Sequence, residues 1–154
     1  MSLTGWAGLS LVAAVIAFGV VYVSRGLDDS AADPLDPQRV ALGASLYARA
    51  CASCHGKDLE GQANWREHLP TGGLPAPPHD ESGHTWHHPD EVLFRITKFG
   101  GAAEAPPGFK SNMPAFAGVL SDDEIRAVLA YIKRSWPEPI RARQAEISRR
   151  SRSP

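Results

Sequence analysis

Cys51-Ala52-Ser53-Cys54-His55 is the segment whose residue types and spacing carry chemistry. Two thiols three positions apart lie one turn from each other on a helix, and an imidazole follows directly. A Cys-x-x-Cys-His run is the attachment motif of c-type haem. The thiols add to the two vinyl groups of the porphyrin, and the histidine reaches the iron from the same side. Two other uses of paired cysteines fit the chain less well. A thioredoxin-like dithiol belongs in a βαβ unit, and no strand-like alternation is evident. A structural zinc site needs further soft ligands, and the chain has no third cysteine.

A haem iron has a second face. If its ligand is a methionine, Met113 is the candidate, because the one other methionine is Met1. Met113 stands in Ser111-Asn112-Met113-Pro114, an irregular stretch suited to holding a side chain over a haem, and His/Met is a standard electron-transfer pair. A second histidine, an open site, and a methionine that only fills a core gap are the alternatives. Histidines are also concentrated in one loop: His68, His79, His84, His87 and His88. Imidazoles suit copper or zinc, but this spacing matches no template that places several ligands on one regular element. The plainer expectation is hydrogen bonding to loop backbone or haem propionates, with His87 or His88 capping a helix near Pro89. Trp65 and Trp86 are candidates for propionate contact or for loop core.

The elements that position these groups are helical. Asp36-Pro37 opens the first, as N-cap and N1, and Val40, Gly43, Tyr47 and Ala50 or Cys51 form its buried stripe. A second runs from about Pro89 to Phe99, with Val92, Leu93 and Ile96 on its apolar face and Gly100-Gly101 at its end. Ser121-Asp122-Asp123-Glu124 is a capping box, and the helix it opens carries Ile125, Val128, Leu129, Ile132 and Trp136 down one face until Pro137. The fold class is therefore all-α, three main helices with long loops. So little secondary structure buries little surface by itself, which suits a domain with a cofactor filling its interior.

Charge divides the 154 residues. Residues 2–24 carry none and are long enough to span a bilayer. Trp6 and Tyr22 stand near the ends of this run, where amphipathic aromatics favour headgroups. A cleaved secretory signal is the competing reading, but no basic residue precedes the run and it exceeds the usual apolar core of a signal. We expect an uncleaved transmembrane helix over 1–24, a flexible acidic linker of net −3 over 25–36, a haem domain over 37–137 and a flexible basic tail of net +3 over 138–154. Either N-terminal reading sends the domain across a membrane, to the periplasmic side of a bacterial inner membrane. The overall charge of −1 gives no sign of nucleic-acid binding.

From Pro37 to Trp136 the chain resembles a class I monohaem cytochrome c. The residues that carry the resemblance are Gly43 and Tyr47, Cys51-x-x-Cys54-His55, the Pro-rich loop, Met113-Pro114 and Leu129-Ala130-Tyr131-Ile132. The resemblance implies one covalent haem c, a close crossing of first and last helices at Gly43, and a loop proline carbonyl, assigned to Pro77, that holds the Nδ1–H of His55. It implies an electron carrier, not an enzyme, and the expected anchor and tether would hold it near membrane redox complexes such as a terminal oxidase, a dehydrogenase or a quinol-oxidising complex. The alternatives are a dedicated haem subunit of one membrane complex, a haem sensor, and a copper-handling protein using His79, His84, His87 and His88. The sequence is silent on oligomeric state.

Overall fold

The computed structural model describes residues 32–153. The anchor expected over 1–24 and most of the acidic linker lie outside them. Among the described residues no helix is long and apolar enough to cross a membrane. These residues form five α-helices, one 3-10 turn and no strand: α1 (Pro37–Ala50), α2 (Ala52–His55), the turn Thr85–His87, α3 (Asp90–Phe99), α4 (Asp122–Ser135) and α5 (Glu138–Ser151).

Helix starts follow the expected capping chemistry. The Asp36 carboxylate accepts the N–H groups of Gln38 and Arg39 at 3.0 and 3.2 Å ahead of Pro37. Glu124 N–H donates to Ser121 Oγ at 3.3 Å while Ser121 N–H donates to Glu124 Oε2 at 2.8 Å, so α4 opens on a complete capping box. It stops at Trp136, one residue before Pro137.

The core joins α1, α4 and the loop after α2: Leu46, Tyr47, Leu59, Ala127, Val128, Ile132 and Trp136 pack together. A smaller cluster of Leu93, Ile125 and Leu129 seats α3 on α4. Backbones of α1 and α4 approach at Gly43, as the resemblance implied. A Cβ there would lie 2.6 Å from the carbonyl carbon of Ala127 and 2.9 Å from Tyr131 Cβ.

Two expectations are corrected. Residues 138–151 are not a flexible tail but helix α5, with Gln144 and Ser148 buried. The helix docks through polar groups that a hydrophobic pattern does not reveal. Gln144 Nε2 donates to His88 O at 3.2 Å and to Asp90 Oδ1 at 2.7 Å. Lys133 of α4 places Nζ 3.0 Å from both oxygens of Asp90. Nor does a histidine cap α3. The side chain at its start is Ser148, whose Oγ accepts the Asp90 N–H at 3.0 Å.

Candidate cofactor site

Cys51, Cys54 and His55 occupy one closed helical turn, in which the N–H groups of Cys54 and His55 both donate to Cys51 O, at 3.1 and 2.9 Å. Cys51 is half-buried against the core and Cys54 is exposed. Burial, and secondarily the neighbouring Cys54, push the Cys51 thiol up to about 11. Redox-active and metal-binding cysteines need the opposite shift, toward thiolate. A sulfur destined for a neutral thioether does not.

His55 is buried, and its Nδ1 lies 2.9 Å from Pro77 O. A carbonyl only accepts, so Nδ1 carries the proton and Nε2 keeps its lone pair for a metal. Burial holds this imidazole below its ordinary value of 6.5, only partly offset by the bond to Pro77. The neutral, ligating form is thus favoured.

Pro77 arrives at His55 because the intervening loop is pinned at several points. Gln62 braces Ala76 on both sides, its N–H donating to Ala76 O at 2.9 Å and its Oε1 accepting from Ala76 N–H at 2.8 Å. Gly61, at φ +68°, passes so close to the loop that a Cβ would lie 2.6 Å from the Pro77 carbonyl carbon. From α1, the Tyr47 hydroxyl donates to Gly56 O at 3.0 Å and also reaches His55 O at 3.3 Å. Sequence reading places Tyr47 in a packed stripe and misses this clamp. It also misses the His79 ring, which stacks on His55 with centroids 4.0 Å apart. Adjacency to Pro77-Pro78 is the signal that points to it.

Met113 comes from a separate loop strapped to the end of α3. Phe116 and Ala117 N–H groups donate to Thr97 O and Lys98 O at 3.2 and 2.9 Å. Met113 N–H donates to Ser111 Oγ at 3.1 Å, and its carbonyl accepts from Gly101 N–H at 3.2 Å. Gly101 is needed there, since a Cβ would fall 3.0 Å from that of Met113. The structure therefore joins Cys51, Cys54, His55 and Pro77 directly, and holds the half-buried Met113 by its backbone on an independent strap.

The histidine loop is committed to ring contacts. His84 stacks on Trp65 with planes 15° apart, His88 meets His84 edge-on, and His87 stacks on Trp86 at 3.7 Å. Trp86 Nε1 donates to Glu81 O at 3.3 Å. Among the described residues no group of three His, Cys, Asp or Glu side chains is arranged to hold a metal ion.

The donor set fits a haem. Two thiols stand one turn apart, beside a buried imidazole whose outer nitrogen is unprotonated. Residues 38–132 match the family described as cytochrome C oxidase, cbb3-type, subunit III. No curated protein and no solved structure matches the chain. The chain belongs to that family, and its helical region is a class I monohaem c-type cytochrome domain, a haem-based electron-transfer module.

Proposed function

We propose that this member of the cbb3-type subunit III family carries one haem c, joined by thioethers to Cys51 and Cys54 and ligated by His55 and Met113, and relays single electrons among membrane respiratory complexes. One observation carries the reading. On a single turn with two thiols, His55 has its Nδ1 proton held by Pro77 O at 2.9 Å, which leaves Nε2 as the donor. Bound there, haem supplies reversible ferric–ferrous chemistry. The protein's residues make and break no substrate bond. Pro77 fixes the tautomer of His55, burial keeps that imidazole neutral, and the strap from Thr97 and Lys98 presents Met113.

A mobile carrier and a dedicated haem subunit of one oxidase share this site. The family description favours the dedicated subunit. For placement we propose the periplasmic face of a bacterial inner membrane, with residues 1–24 as an uncleaved anchor, which their uncharged length supports.

Pyridine haemochrome spectra and intact mass of the chain purified from membranes test these points together. The expected result is one haem c per chain, a mass that includes residues 1–24, and retention in membranes after alkaline washing. Colourless protein with two free thiols refutes the haem reading. Carbon monoxide binding to the reduced form refutes Met113 ligation and favours a sensor. Co-purification with an oxidase separates fixed subunit from carrier.

A further inference from the structure

Neither the Cys-x-x-Cys-His spacing nor the Pro77 carbonyl accounts for the second imidazole on His55. The rings of His79 and His55 lie with centroids 4.0 Å apart and planes 21° from parallel. His79 is itself fixed from three directions. Its N–H donates to Leu59 O at 2.7 Å. Its carbonyl accepts from Trp136 Nε1 at 2.7 Å. Its Nδ1 sits 2.8 Å from Thr85 Oγ1, and the buried Thr85 hydroxyl points on to Pro78 O. The Thr85 hydroxyl thus lies between His79 Nδ1 and Pro78 O, and the ring cannot swivel without breaking its bond to Thr85.

An imidazole attached at Cβ and held by one hydrogen bond at Nδ1 still tilts about the line through those two points. Tilting moves the Nε2 lone pair. A flat ring against one face removes that freedom, and stacked aromatic pairs hold a preferred offset that an aliphatic side chain of equal volume does not impose. We propose that His79 is a positioning residue: its ring is a wall that sets the plane of the His55 imidazole and so the direction in which Nε2 meets the iron. The wall is anchored by Thr85 and by Trp136, the residue at the junction of α4 and α5. This proposal rests on the haem reading above.

The test uses the full-length, haem-loaded protein and reads the g-tensor of the ferric form by electron paramagnetic resonance, which depends on the axial imidazole plane. Haem content is measured first, by pyridine haemochrome. A wild-type chain without haem defeats the underlying reading, whatever His79 does. With haem present, His79→Phe keeps a flat ring but loses the bond to Thr85, and is expected to broaden the largest g feature only as far as Thr85→Val does. His79→Ala is expected to shift and broaden the largest g feature, because several ring planes become accessible. Thr85→Val leaves the His79 ring in place but unpinned, and is expected to broaden that feature less. A purely structural role would lower thermal stability in these variants and leave the g-tensor unmoved. Should His79→Ala fail to accumulate, the other two decide. Wild-type line shape in Thr85→Val, or a His79→Phe spectrum clearly broader than that of Thr85→Val, overturns the proposal.

Discussion

Gly43 shows how far a single position constrains this domain. Its missing side chain lets α1 and α4 touch backbone to backbone, and the neighbours a Cβ would strike are the Ala127 carbonyl and the Tyr131 Cβ, neither at the end of a flexible side chain. Gly43→Ala gains helix propensity of about 1 kcal/mol, but overpacking a tight contact costs about 1–3 kcal/mol. With backbone as the obstacle the upper end applies, and a net loss of about 2 kcal/mol is expected in urea unfolding. A variant as stable as wild type would mean that the helices do not meet at this point. The residues proposed to hold the haem stand out in the sequence for a related reason. Attachment chemistry fixes the spacing of Cys51, Cys54 and His55, and the methionine count points to Met113. Tyr47 and His79 were not legible in their roles: Tyr47 reaches the carbonyls of His55 and Gly56 across the bend between α1 and α2, and His79 meets His55 only after the loop has folded back.

At the scale of elements, α1, α3 and α4 were readable because caps and apolar stripes coincide in them, whereas α5 hid behind its arginines. Its inward residues include Gln144 and Ser148, four apart on one face, and a search for apolar periodicity passes over them. Local signs were present: Pro139 in the first turn, and Glu146 placed to pair with Arg149 and Arg150. What docks the helix, beside Ile140 packed on the main core, is the group formed by Asp90, Lys133, Gln144 and Ser148. Buried hydrogen bonds of this kind contribute through the cost of leaving their partners unmet. Gln144→Ala removes the amide that serves His88 O and Asp90 Oδ1, and although Asp90 keeps Lys133, a loss of about 1.5–3 kcal/mol is expected, the range for a hydrogen bond to a charged group. Arg150→Ala, at an exposed ion pair, is expected to change stability by less than about 1 kcal/mol. Urea midpoints of the two variants check the contrast. Equal effects would show that α5 is held by its surface charges, not by its buried amide.

For the molecule as a whole, the decisive variable is proton activity, because the loop between α2 and α3 is built around imidazoles that resist charging. Burial is the main cause in each case: it holds His79 well below its ordinary value of 6.5, and lowers His84 and His88, with smaller contributions from neighbouring histidines. A histidine lowered by folding binds its proton more readily in the unfolded chain. Below 6.5 the unfolded state therefore takes up protons that the folded state refuses, and stability falls with pH. This contribution is fully present above the unfolded value and is lost as pH drops through the folded ones. Glu124 and Glu146 are also lowered, held by Ser121 and by Arg150 and Arg149, but their window opens only below about 4.5. Net charge is too close to zero for general repulsion to act before then. The haem-loaded protein is accordingly expected to lose urea resistance steadily between about pH 7 and about pH 5. His79→Phe, which keeps the ring and removes the proton site, is expected to flatten that slope, and His84→Gln to flatten it less. A midpoint that stays constant across this interval in wild type would show that the loop does not exclude protons from its imidazoles. An unchanged slope in His79→Phe would move the sensitivity to the other histidines of the loop.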